Sequence, residues 1–89
     1  MSDIIAMKTI AFTARAAKEL DALPTDAREA VEGALITYAI TGRGDVKALV
    51  GQDGCRMRVG RYRVLFNEDR TTVLAVYVGK RETTTYRRN

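Results

Sequence analysis

The stretch Cys55–Phe66, CRMRVGRYRVLF, alternates basic and apolar residues on both sides of a glycine. Arg56, Arg58, Arg61 and Arg63 fall within eight residues, interleaved with Met57, Val59, Tyr62 and Val64. A repeat of two is the period of a β-strand, whose successive side chains point to opposite faces. Gly60-Arg61 is a two-residue link with glycine first, which suits a type II′ turn between strands 55–59 and 62–66. With that turn, Val59 faces Tyr62, Arg58 faces Arg63 and Met57 faces Val64. One face then carries Met57, Val59, Tyr62, Val64 and Phe66. The other carries Arg56, Arg58 and Arg63, with Leu65 as the apolar exception.

Working downstream, NEDRTT (67–72) reads as a polar turn and VLAVYVGKR (73–81) as a third strand. In that strand Leu74, Val76 and Val78 share a parity and suit the covered face. Ala75, Tyr77, Gly79 and Arg81 would then lie on the arginine side. Upstream, DVKALV (45–50) is a strand or an extended lead-in, and GQDG (51–54) a loop. MKTIAFT (7–13) predicts a short edge strand. Thr13 can cap a helix that runs to about Leu23 and is stopped by Pro24. Thr25 or Asp26 can cap a second helix, with Ala27, Ala30, Val31, Ala34, Leu35 and Tyr38 on its apolar side. The glycines of TGRGD (41–45) end it. The expected class is α+β: an N-terminal strand, an αα-hairpin, then an antiparallel twisted sheet of three to four strands with the helices on one face.

The 89 residues predict a single domain, 1–89, with 46% hydrophobic and 29% charged residues, an ordinary globular balance. No apolar run has the length of a membrane span. The beginning, MSDIIAMKTIAFTARA, has some character of a signal peptide. Asp3 replaces the basic start, however, and Lys8 splits the apolar stretch, which favours the edge strand. Met7 is a second candidate for the natural start. Cys55 is the single cysteine and there is no histidine, so an internal disulfide, zinc sites and histidine acid–base catalysis are not expected. Cys55 reads as a small apolar filler. No cofactor is expected, and the chain reads as cytosolic.

Charge is unevenly spread. Residues 1–45 hold five basic and seven acidic side chains, a balance of −2; residues 46–89 hold ten and four, a balance of +6. Positive potential is thus concentrated in the second half, which makes polyanions, nucleic acid first, the natural partner class. The register argument sharpens this. Arg56, Arg58, Arg63 and Arg81 should converge on the face of the sheet that the helices leave bare. Like charges opposite one another on a sheet destabilise it by roughly 0.2–1 kcal/mol per pair, and an anion seated there would offset that. The plainer reading lets each arginine lay its stem on the sheet and point its head into water. Arg61, in the turn, reads by itself as solvated.

In its order of segments, and in DVKALVG, RVGRYRVLF and VGKRE, the chain resembles the RelE/ParE superfamily of toxins from bacterial type II toxin–antitoxin modules. The resemblance spans about residues 7–88. Its RelE-like branch implies a ribosome-dependent endoribonuclease that cuts messenger RNA. The site residues it implies are Arg56, Arg58, Arg63, Arg81 and Tyr86; of these Arg58, Arg63, Arg81 and Tyr86 are expected to be catalytic, and Arg56, with Arg61 and Lys80 beside the set, to bind substrate. Arg63 and Arg81 would clamp the scissile phosphate while Arg56 and Arg58 hold the backbone and favour ionisation of the 2′-hydroxyl. Tyr86 would stack on a base, orient it or exchange a proton, or else simply pack against the sheet. One departure matters: the basic pair on the first hairpin strand, often lysine in RelE, is arginine here, and arginine does not give up its proton. The acceptor would then be Tyr86, Glu82, a water or a ribosomal group. The resemblance also implies a cognate antitoxin as partner, and neither membrane nor metal. A ParE-like inhibitor of DNA gyrase and an inactive binding module are the alternatives.

Overall fold

The computed structural model describes residues 7–81. Seven elements follow in chain order: β1 (Thr9–Phe12), α1 (Ala14–Asp21), α2 (Thr25–Thr41), β2 (Val46–Ala48), β3 (Cys55–Val59), β4 (Tyr62–Glu68) and β5 (Thr72–Lys80). The sheet runs β1-β5-β4-β3-β2. Strands β2 to β5 are antiparallel neighbours, as expected, and β1 joins them as a fifth strand at the edge, parallel to β5.

Local chemistry explains where the helices begin and stop. The Thr13 hydroxyl accepts a hydrogen bond from Ala16 N at 3.1 Å, capping α1. Ala16 and Leu20, four residues apart, are its buried positions. For α2 the expected cap is corrected: Pro24 occupies that position with no side-chain bond, and Thr25 already opens the helix. Proline fixes its own φ, here −56°, and needs no N–H, so it can start a helix as readily as it stops the preceding one. Asp26 instead sits in the first turn, where its carboxylate accepts from Ala27 N at 2.9 Å and faces the positive end of the helix dipole. Gly42 closes α2 in the left-handed conformation at φ 76°, its N–H donating to Tyr38 O.

α2 buries Val31, Leu35 and Ala39, a stripe four residues apart, while Ala30 is exposed against expectation. Val31 and Leu35, with Ala16 and Leu20, cover Met57, Val64 and Phe66 of the hairpin and Val73, Ala75 and Val78 of β5. Burying each of the larger side chains contributes roughly 1.5–3 kcal/mol. The end of the sheet where β1 enters is tied by polar groups. Glu68 accepts from Lys8 Nζ at 2.8 Å and from the Tyr38 hydroxyl at 2.6 Å, linking β4, α2 and the approach to β1. The Tyr38 ring meets Phe66 edge-on at 5.4 Å.

The parity expected for β5 holds at one end only. Tyr62, Arg63, Val64 and Leu65 pair with Lys80, Gly79, Val78 and Tyr77, but Phe66 then pairs with Ala75. Val76 is the extra residue of a β-bulge, and it inverts every side chain before it. Tyr77 and Gly79 therefore share the arginine face as expected. Ala75 and Val73 are buried under the helices, and Leu74, expected in the core, is turned to the other face.

Candidate functional site

The hairpin register is the one the sequence implies: Val59 with Tyr62, Arg58 with Arg63, Met57 with Val64. Gly60 has φ 57°, and no non-glycine residue described has positive φ, so Arg61 is negative. Positive then negative is the type II′ pattern, whose twist matches the strands. In such a two-residue hairpin Val59 and Tyr62 form the hydrogen-bonded pair, and Arg58 and Arg63 the next, non-bonded one. Side chains of non-bonded pairs lie closer together, with Cα atoms about 4.5 Å apart. Arg58 N accordingly turns outward and donates to Asp45 O in the loop before β2.

Arg56, Cα partner of Leu65, lies two residues along β3 from Arg58 and on the same face. Lys47 is the Cα partner of Arg56 on β2 and extends the row. Ion pairs among the described residues are Lys8–Glu68 and Arg15–Glu19, so no carboxylate answers Arg56, Arg58 or Arg63. Arg58 is exposed and the other two are half-buried. The Nε atoms of Arg56 and Arg63 are covered by neighbouring atoms and have no hydrogen-bond partner among the described residues. An unsatisfied donor in a charged group is costly, by about 1–3 kcal/mol or more. Phosphate oxygens, which accept two parallel bonds from a guanidinium fork, suit a row of cations with no carboxylate beside them.

Arg81 reaches the same end of the sheet differently. Its backbone N donates to Arg61 O at 2.8 Å and its Nη1 to Gly60 O at 2.9 Å, holding it against the hairpin tip. Three of the four guanidinium groups thus meet on the helix-free face, and the fourth stands at its rim. Lys80 is the Cα partner of Tyr62 and leaves β5 on the helix side. It meets Arg81 only around the end of the sheet, where both line an open cleft of about 460 Å³ with Gly60 and Arg61. Tyr86 and Glu82 lie outside the described residues.

The face holds two residues to which the sequence reading assigned no role. Tyr77 is the Cα partner of Leu65, and two residues on, Gly79 is the Cα partner of Arg63. A Cβ at Gly79 would come within 2.6 Å of Tyr77 Cζ and collide with its hydroxyl. The phenol therefore lies across the space that the glycine leaves open, beside the root of Arg63. From α1, the Arg15 guanidinium sits over the Tyr77 ring, 5.2 Å from its centroid. Glu19 joins these parts: one carboxylate oxygen takes Arg15 Nε at 2.9 Å, the other takes Val78 N at 2.9 Å, where β5 has run past the end of β1. Burial pushes the Glu19 carboxyl up, but the Val78 amide and the Arg15 hydrogen bond and charge outweigh it and hold it below 4.5. Strand parity was enough to find Tyr77. Arg15 needed the packing of α1 on the edge of β5, which no local pattern contains.

Cys55 is half-buried. Burial, then the charge of Glu68, pushes its thiol above 9.0, which suits the filler role rather than a nucleophile.

Neither a family model nor a curated protein sequence matches the chain. Solved structures do. The toxin–antitoxin complex RelBE2 from Mycobacterium tuberculosis contains a chain 27% identical, superposing with a TM-score of 0.75 over 90% of this chain and 98% of that one. This chain has the fold of the RelE toxins of toxin–antitoxin modules. The fold recurs at lower identity. The archaeal RelE–RelB complex from Pyrococcus horikoshii gives 20% identity and a TM-score of 0.73, covering 88% of this chain and 99% of that one. The YoeB dimer from Staphylococcus aureus gives 14% and 0.71, covering 86% and 100%.

Proposed function

We propose that this RelE-like chain is the toxin of a type II toxin–antitoxin module and acts as a metal-independent, ribosome-dependent endoribonuclease on messenger RNA. The observation that carries the reading is the opposed pair Arg58 and Arg63, with Arg56 beside them: three cations on the sheet face that α1 and α2 leave uncovered, unanswered by carboxylate among the described residues. A phosphodiester supplies the negative charge that no described carboxylate brings to this face.

The chemistry needs geometry and positive charge more than a reactive side chain. The ribose 2′-oxygen attacks the adjacent phosphorus, the bond to the 5′-oxygen breaks, and a 2′,3′-cyclic phosphate and a 5′-hydroxyl result. Arg63 and Arg58 hold the non-bridging oxygens as they gain charge, Arg56 holds the neighbouring phosphate, and Arg81 reaches in from the rim once it leaves the Gly60 carbonyl. None of them takes the 2′-proton, because arginine stays charged. That proton passes to Glu82, Tyr86, a water or a ribosomal group, and a water protonates the departing 5′-oxygen. Lys80 and Arg61, in the cleft at the hairpin tip, meet the strand as it leaves the face.

A cognate antitoxin is the second partner. Similar structures include the toxin–antitoxin complex RelBE2 and a RelE–RelB complex. On this chain the basic second half suits an acidic segment, and Ile36 and Ile40, one turn apart on α2, are exposed apolar residues suited to its apolar side. The gyrase alternative finds no support among the similar structures, which are RelE and YoeB chains.

The test is induction of the chain in cells, with messenger RNA ends mapped and DNA damage scored, beside Arg63→Gln. Codon-positioned cuts that vanish in the variant are expected. A DNA-damage response without cuts would favour gyrase inhibition, and normal growth with neither would mean a binding module.

A further inference from the structure

We propose that the Tyr77 hydroxyl is a substrate-contacting group of this site, donating a hydrogen bond to the phosphate oxygen that Arg63 holds; this rests on the RNA-cleavage reading above. Four observations converge on it. Tyr77 is on the arginine face, as the partner of Leu65. The missing side chain of Gly79 lets the phenol lie beside Arg63, its hydroxyl above the glycine. Whereas the Tyr38 hydroxyl donates to Glu68, Tyr77 Oη has no hydrogen-bond partner among the described residues. Finally, the ring is aimed: Arg15 covers it, Glu19 holds Arg15, and Glu19 is anchored to Val78 N.

Physical chemistry gives this donor a purpose. Arg56, Arg58 and Arg63 already repel one another, so a further cation would destabilise the face. A phenol adds a donor to the anion without adding charge, and a group oriented before the substrate arrives loses little freedom on binding. Gly79 is then required by the phenol as much as by the strand. Its replacement would displace the ring even though glycine is otherwise a poor strand residue.

The experiment compares wild type, Tyr77→Phe, Gly79→Ala and the double variant as full chains. It reads cleavage of messenger RNA on programmed ribosomes and binding of a short RNA carrying 2′-deoxyribose at the scissile position. Tyr77→Phe keeps the ring and its contact with Arg15, so folding, checked by circular dichroism, should not change. Expected is a loss of at least about tenfold in both readouts. Gly79→Ala should show a similar loss, with little further loss when the two are combined. Wild-type activity and binding in Tyr77→Phe would overturn the proposal while leaving the RNA-cleavage reading intact. A wild-type chain that neither cleaves nor binds RNA would overturn both.

Discussion

Arg58 and Arg63 are Cα partners across the β3–β4 hairpin, and both carry their guanidinium groups on the face that α1 and α2 leave uncovered. The fold does not need this pair. Its core lies wholly on the other side, from Leu35 and Val31 to Phe66, Met57 and Val64. Charge that the core does not use, held in register by a glycine turn, is what a polyanion site requires.

Removing one member of the pair should therefore separate stability from activity. Arg63→Gln keeps most of the stem and deletes the charge. Urea denaturation is expected to show unchanged stability or a gain of about 0.2–1 kcal/mol. Cleavage on programmed ribosomes should fall on the order of 100-fold or more. A variant that loses both together would assign Arg63 to the fold instead.

Arg81 makes a separate case. Its side chain donates to Gly60 O on the surface, a contact whose loss costs about 1 kcal/mol or less. Arg81→Ala should keep its cooperative unfolding and lose cleavage. Full cleavage by this variant would remove Arg81 from the reaction.

The bulge at Val76 makes a prediction opposite to uninterrupted alternation. Val73→Ala, which empties a fully buried site, should destabilise by on the order of 2 kcal/mol. Leu74→Ala, on the arginine face, should cost less than about 1 kcal/mol. Reversal of that order in urea denaturation would mean that β5 runs without a bulge.

Stability should be flat near neutrality and fall on both sides. Burial raises the Glu68 carboxyl, but Lys8 and the Tyr38 hydroxyl outweigh it and leave it below 4.5; Glu19 is lowered too. Depressed carboxyls stabilise above their unfolded values, and that contribution disappears as pH falls below about 4.5. Tyr38 is shifted the other way, raised above 10.0 by burial first and then by Glu68. A raised phenol stabilises below its unfolded value, so the alkaline loss begins as pH climbs past about 10. Glu68→Gln should weaken both limbs in a pH series of urea midpoints. Unchanged limbs would mean that the Lys8–Glu68–Tyr38 contacts do not persist in solution.

Much of this was readable in the chain because strand alternation and a glycine turn are local signals. CRMRVGRYRVLF contains its own register, and Thr13 and Gly42 announce the start of α1 and the end of α2. Parity failed at Leu74 and Ala75 because Val76 and its neighbours are all apolar, so nothing in VLAVYV marks which residue is left unpaired. Pro24 reads as a stop, although it also holds the cap position of α2. The partnership of Arg15 with Tyr77 depends on where α1 docks against β5, some sixty residues away in sequence, which local periodicity does not encode. Parity placed Arg81 on the arginine face, but β5 ends at Lys80 and the bond to Gly60 holds Arg81 at the rim, a choice of side-chain conformation that no pattern specifies.

The most direct measurement follows the arginine Nε–H signals by NMR while the full chain is titrated with a short RNA blocked by 2′-deoxyribose at the scissile position. The account predicts saturable shifts at Arg63 and Arg56, as phosphate oxygens bind their guanidinium groups, with Arg28 and Arg43 at the helices unchanged. Shifts confined to the helix side, with Arg63 and Arg56 silent at saturation, would contradict it.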